Sequence, residues 1–155
     1  MRKAEPPSKT VCRNRKAGFR YEILEKFECG LALVGSEVKS LRERNGSIEE
    51  AYARIDGGQL WLIDAHIGAY PFANTQNHDP TRRRKLLMHA REIRRLRPKI
   101  ELKGLTLVPM SVYFNERGIA KLSLALVRGK STGDKRESIK KREHKREMDR
   151  EVRRK

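Results

Sequence analysis

After Arg128 the apolar pattern of this chain stops. From Lys135 to Lys155 only Ile139, Met148 and Val152 are apolar. Whatever folds by hydrophobic burial is therefore confined to the part before this stretch. Glu137 with Lys141, and Asp149 with Arg153, are spaced for i,i+4 ion pairs. Each pair contributes about 0.2–0.5 kcal/mol, too little to hold a lone helix in water. Residues 131–155 are expected to be a basic tail, disordered when free and helical on a polyanion.

Upstream, the patterning is that of short strands. Tyr21 to Phe27 alternates partially. Tyr52–Ile55 and Gln59–Ile63 flank Asp56-Gly57-Gly58, where glycines suit the positive φ of a hairpin turn. Leu105–Phe114 and Ile119–Val127 form a second hairpin around Asn115-Glu116-Arg117-Gly118, with Leu122, Leu124 and Leu126 marking a buried face. Pro109 donates no ladder hydrogen bond, which assigns it to an edge or a bulge. Glu37 to Arg44 fits a short helix or a strand. Ser47-Ile48-Glu49-Glu50 has the form of a capping box and suggests one helical turn. Pro71 to His78 reads as a loop. A longer helix is expected from Asp79-Pro80, with Leu86, Ala90, Ile93 and Arg97 on one face and Pro98 as its stop. The N-terminal residues are polar and basic, and 1–13 reads as a flexible arm. Short strands, few helices and no βαβ rhythm make the fold class mainly β: an OB-like antiparallel barrel over 14–130.

Charge narrows the partner. Lys and Arg number 37 against 20 Asp and Glu, a net charge of +17 on 155 residues. Such a chain repels itself unless polyanions lie beside it. No apolar run approaches the roughly 18 residues that span a bilayer, and Met1 to Arg15 lacks the apolar core of a signal peptide. No membrane partner is expected. Cys12 and Cys29 form no CxxC pair and read as thiols of a reducing, cytoplasmic compartment.

No catalytic motif stands out. A zinc site from His66, His78 and a cysteine has no ligand spacing behind it. Asp56, Asp64 and Asp79, imagined as a two-metal cluster, are better placed as turn and cap residues. The expectation is no enzyme, no metal and no cofactor. Thr81-Arg82-Arg83-Arg84-Lys85 puts four cations into the first turns of the expected helix, against its dipole. Phosphate binding accounts for that choice, since guanidinium forks match phosphate oxygens. Some of the aromatics are candidates to stack on unpaired bases, Tyr70 and Phe72 in a Pro-containing stretch first among them; most of the nine are assigned to the core.

Several blocks resemble a known family. They are Asn14-Arg15-Lys16-Ala17; Gly30-Leu31-Ala32-Leu33 leading to Gly35-Ser36-Glu37-Val38-Lys39-Ser40-Leu41-Arg42; and Asn77-His78-Asp79-Pro80-Thr81-Arg82 running into Arg84-Lys85-Leu86-Leu87. Gly104 through Val108-Pro109 to Tyr113-Phe114, then Gly129-Lys130 and Asp134-Lys135-Arg136, complete the order. In this order and spacing they are similar to the SmpB family, with Ser131-Thr132-Gly133 standing where that family carries bulkier or more basic residues.

The resemblance implies an OB-like barrel that binds the tRNA-like domain of tmRNA and delivers it to stalled ribosomes for trans-translation. It implies no catalysis, a monomer with one protein per tmRNA, and a tail lying in the empty mRNA channel. By that likeness Asn14, Glu28, Gly30 and Leu87 belong to the tmRNA-binding surface, with Arg42, Arg82, Arg84 and Lys85 on phosphates. Gly129, Lys130, Asp134, Lys135 and Arg136 open the ribosome-engaging tail. Lys140, Lys141, Arg142, Lys145 and Arg146 follow along ribosomal RNA of the decoding centre and mRNA channel. Glu28 makes physical sense there only by reading donors on bases or 2′-hydroxyls, because a carboxylate repels phosphate. Two competing classes remain: a permanent ribosomal protein or RNA chaperone, and a nuclease using Asp56 and Asp64.

Overall fold

The computed structural model describes residues 9–73, 75, 77–130 and 132–154. In chain order the elements are β1 (Lys9–Arg13), α1 (Ala17–Arg20), β2 (Tyr21–Leu31), α2 (Gly35–Arg42), β3 (Gly46–Ser47), β4 (Tyr52–Asp56), β5 (Gln59–Ile63), β6 (His66–Ile67), β7 (Arg84–Leu87), α3 (Ala90–Lys103), β8 (Thr106–Phe114), β9 (Ala120–Gly129) and α4 (Thr132–Arg154). Every strand pairing is antiparallel, and the pairings β8–β4–β5–β7–β2–β9–β8 return to their start. That ring is the OB-like sheet expected from the alternation. Its inward residues include Leu60, Leu62, Leu86, Leu107, Leu122, Leu124 and Leu126, each at most 1 % exposed. Ile93 and Leu96 of α3 join the same core.

Both hairpins lie where the sequence places them. Gly57 and Gly58 take φ of 59° and 73° in the β4–β5 turn. Pro109 sits at a bulge: the β8–β9 register slips between Pro109 and Ser111. The bulge frees the Pro109 carbonyl to accept a hydrogen bond from Asn14 Nδ2 at 3.1 Å, while the Asn14 N–H donates to Met110 O at 2.8 Å.

Four local expectations need correcting or completing. The arm expected over 1–13 is structured from Lys9: β1 pairs with the second half of β8, Arg13 opposite Ser111 and Lys9 opposite Phe114. The cause is non-local, because β4 meets β8 only at Ala53–Leu107 and leaves that edge open. The helix expected from Asp79 starts later. Asp79 Oδ1 accepts the Thr81 N–H at 3.0 Å in a turn, and Arg84–Leu87 is a strand inserted between β5 and β2. Pairing on both sides overrides the helical spacing of Leu86 and Ala90. The helix proper, α3, contains Pro98 and ends before Gly104 in the left-handed conformation. Ser47 lies in β3, and only the Ala51 N–H to Ile48 O bond remains of the expected helical turn. The undecided segment after Val34 is helical, as α2.

Candidate nucleic-acid interface

The arginine run does not act as one cationic cluster. Arg84 is fully buried on β7. Its Nε donates to Glu37 Oε2, its Nη1 to Ala65 O at 2.8 Å, and its Nη2 to Pro80 O at 3.0 Å. Arg82 Nη2 donates to Glu37 Oε1, and the Val34 N–H donates to the same oxygen at 3.0 Å. Glu37, on α2, is itself fully buried. Burial alone raises its carboxyl pKa, but the bonds from Arg82, Val34 and Arg84 outweigh that and hold it below the ordinary carboxylate value. The expectation that Arg84 contacts phosphate is therefore corrected: its guanidinium joins β7 to Glu37 of α2 and to the carbonyls of Ala65 and Pro80. Arg82 is partly exposed but shares the same carboxylate.

A second arrangement lies on the outer face of the barrel, where β7, β2, β9 and β8 run side by side. The register aligns Leu87, Gly30, Lys121 and Tyr113 in one row, with Glu28, Ser123 and Ser111 in the next. Leu87 is 53 % exposed, an unusual place for a leucine. It lies against Gly30, where a Cβ would meet Leu87 Cβ at 3.2 Å, so any larger residue there would push the leucine outward by a few tenths of an ångström. Glu28 is exposed and accepts a hydrogen bond from Tyr113 Oη. Burial, then that bond, raises the Tyr113 pKa, so the phenol stays a donor and fixes the carboxylate. A carboxylate has lone pairs left for further donors. Arg42 is exposed on α2, its guanidinium 5.4 Å from the Phe114 ring centre. Lys85 is partly exposed opposite Trp61. Asn14 is 6 % exposed; its Nδ2 clasps the β8 bulge and its Oδ1 has no partner among the described residues.

The tail leaves from the end of β9. Gly129 is exposed. The Lys130 N–H donates to Arg20 O at 3.1 Å, and its ammonium donates to Gly18 O at 2.9 Å and Ser138 Oγ at 2.6 Å. Lys130, expected among the ribosome contacts, is thus a joint fastening α4 to α1. Lys135 is partly exposed, and Arg136, Lys140, Lys141, Arg142, Lys145 and Arg146 are exposed along α4. With 3.6 residues per turn, these cations point around the whole helix circumference. The Asp134 side chain lies outside the described residues.

The sequence reading left three features out of the site. Lys121, between Gly30 and Tyr113, lacks any motif of its own, and only strand register reveals it. Trp61, not singled out among the aromatics, is partly exposed on the outer face, with Arg83 over its ring. Glu37 lies in the Gly35–Arg42 segment, where the sequence gives it no role apart from the resemblance. Of the aromatics singled out, Phe72 is 77 % exposed and Tyr70 meets it edge-on at 5.5 Å.

The rival sites find other uses for their residues. His78 Nε2 lies 2.9 Å from Ile67 O and Nδ1 2.8 Å from Ser36 Oγ. A carbonyl only accepts, so Nε2 carries the proton and both ring nitrogens are engaged. Asp56 pairs with Arg83 at 3.3 Å, and Asp64 occupies a left-handed turn position at φ 59°. Cys12 and Cys29 are buried free thiols, and desolvation pushes their pKa values up to about 11 and about 12. Among the described residues no helix is long and apolar enough to cross a membrane.

Comparison with known proteins matches residues 11–154 to the SmpB protein family. The chain belongs to the SmpB family. It is 50 % identical over 150 residues to an SsrA-binding protein of Mesorhizobium japonicum, covering 97 % of this chain and 94 % of that one. The SsrA-binding protein of Rhodopirellula baltica is 51 % identical over 154 residues, covering 99 % and 88 %. A solved SmpB structure, described as "tmRNA-SmpB: a journey to the center of the bacterial ribosome", superposes with a TM-score of 0.65 at 51 % identity, over 77 % of this chain and 84 % of that one. Two SmpB-like blocks, Gly35–Arg42 and Arg84–Leu87, meet in space through Glu37 and Arg84.

Proposed function

We propose that this protein binds SsrA RNA (tmRNA) and escorts its tRNA-like domain to stalled ribosomes for trans-translation, as a non-catalytic factor of the cytoplasm acting as one copy per RNA. The observation that carries this reading is the outer patch of two adjacent rows that holds Leu87, Gly30 and Glu28. An exposed leucine is kept in place by a glycine, beside a carboxylate fixed by a buried tyrosine. A surface built only for solubility gains nothing from these three features together. The leucine suits the apolar face of a base or ribose, and Glu28 suits base N–H groups or a 2′-hydroxyl. Lys121, Lys85 and Arg42 supply charge to the phosphates around them.

The tail has the second role. Cations on all sides of α4 suit a helix surrounded by ribosomal RNA better than one lying on a flat surface. The relatives named SsrA-binding proteins, and the SmpB structure described with tmRNA at the ribosome, support both partners.

Glu28→Ala tests the surface. It makes the protein more positive, so a merely repulsive carboxylate would give tighter RNA binding on removal. As a reader of RNA donors, its loss weakens tmRNA affinity by about 1–3 kcal/mol. The measurement is tmRNA binding at fixed salt, with unchanged thermal unfolding as the control. Tighter binding by the variant would sink this assignment of Glu28.

A further inference from the structure

The outer face carries an aromatic feature that the row at Leu87 does not use. Across β4, β5 and β7 the register places Arg54, Trp61 and Lys85 side by side. Trp61 is partly exposed, Arg54 is exposed, and the Arg83 guanidinium carbon stands 4.7 Å from the Trp61 ring centre. Asp56 holds Arg83 at 3.3 Å, with both side chains about half exposed: 49 % for Arg83 and 55 % for Asp56. Three cations thus surround the one tryptophan of the chain. Lys85 and Leu87 are two residues apart on β7 and share its outer side, so this patch continues the surface at Leu87 and Gly30.

We infer that the Arg83–Trp61 stack is a platform for one unpaired nucleobase of the bound RNA, with Arg54 and Lys85 taking the phosphates on either side; this rests on the RNA-binding reading above. An indole and a guanidinium plane each stack on a base whatever its identity. Trp61 is mostly buried but keeps part of its ring in solvent, and the cations bordering that open part are themselves at least partly exposed. The Asp56–Arg83 pair is solvent-exposed and weak. It orients the guanidinium in the free protein, and a phosphate, which arginine binds bidentately, replaces it. The chemistry asks for a single-stranded or looped element, because bases inside a helix have no free face.

Because Trp61 is the sole tryptophan, its fluorescence reports on this platform alone. The full chain is titrated with unlabelled tmRNA under selective indole excitation, and binding is followed in parallel by anisotropy of end-labelled tmRNA. The expected result is a saturable change in emission, and reduced quenching by acrylamide, over the same concentration range as the anisotropy. Saturating anisotropy with an unresponsive tryptophan would overturn the platform while leaving RNA binding standing. Anisotropy that never saturates would overturn the RNA-binding reading and the platform with it. Two variants complete the test. Trp61→Phe keeps a π face and retains affinity within about twofold, whereas Trp61→Leu, equally apolar, loses about fivefold or more. Equal affinities for the wild type and both variants also overturn the platform.

Discussion

Glu37→Gln lowers folding stability by about 3–5 kcal/mol, the cost of leaving a buried guanidinium without its counter-charge. Arg84 and Glu37 are both fully buried, so no water replaces the lost carboxylate. Arg84 keeps its bonds to the carbonyls of Ala65 and Pro80, which satisfy protons but do not neutralise charge. The loss is a large part of the 5–15 kcal/mol typical of a domain, and urea unfolding reads it directly. Replacing both partners, Glu37→Leu with Arg84→Met, removes the unpaired charge and restores part of the stability. A double variant no better than Glu37→Gln would show that the pair's geometry, rather than its charge balance, holds α2 to β7. The same carboxylate sets an acid limit. Its folded pKa lies below the ordinary value of 4.5. Its contribution is therefore complete above that value and is lost as pH falls through the folded pKa. Wild-type stability should drop on acidification below about pH 4.5, and Glu37→Gln should lack that component.

Truncation after Lys130 abolishes ribosome rescue while leaving tmRNA affinity nearly intact. The barrel surface at Glu28, Gly30 and Leu87 lies wholly upstream of the cut. The described polar tie between α4 and the barrel is the Lys130 ammonium, bonded to Gly18 O and Ser138 Oγ, and the truncated chain keeps Lys130 and Gly18. What disappears is the helix with cations around its circumference. Rescue is measured as tagging of a nascent chain on ribosomes halted at a message end. Binding is measured on free tmRNA, with the same salt dependence expected for the full and the shortened chain. A collapse of tmRNA affinity would contradict this division of labour.

The strands and hairpins were legible because their signals are local. Gly57-Gly58 marks a turn by backbone freedom, and the alternating Leu122, Leu124 and Leu126 mark a buried face with period two. Pro109 announced its bulge because it lacks an N–H. The failures share one cause, which is pairing at long range. Arg84–Leu87 has helical spacing with Ala90 and Ile93, yet β5 and β2 claim it from both sides. Lys9–Arg13 belongs to a polar, basic N-terminal stretch that reads as an arm, yet an open edge of β8 takes it in and Val11 and Cys12 pack on the core. The same limit applies to the site. Nothing in Arg82-Arg83-Arg84 distinguishes the arginine that is buried from the one on Trp61. The difference comes from Glu37, which lies 47 residues before Arg84. The family resemblance placed Glu28, Gly30 and Leu87 together, and strand register then added Lys121 and Trp61. Asn14, expected as an RNA contact, also clasps the Pro109 bulge, a role that needed the bulge to be seen.

The central claim is that this barrel reads tmRNA rather than binding RNA by charge alone. Affinities of the purified protein for tmRNA and for an elongator tRNA across a salt series test it most directly. The slope of log K against log salt counts phosphate contacts at roughly 0.7–0.9 per contact. Binding of tmRNA is expected to persist at moderate salt while tRNA binding fades, because Glu28 and Leu87 add contacts that salt does not screen. Equal affinities with equally steep slopes would contradict it and leave a general basic RNA binder, such as a permanent ribosomal protein.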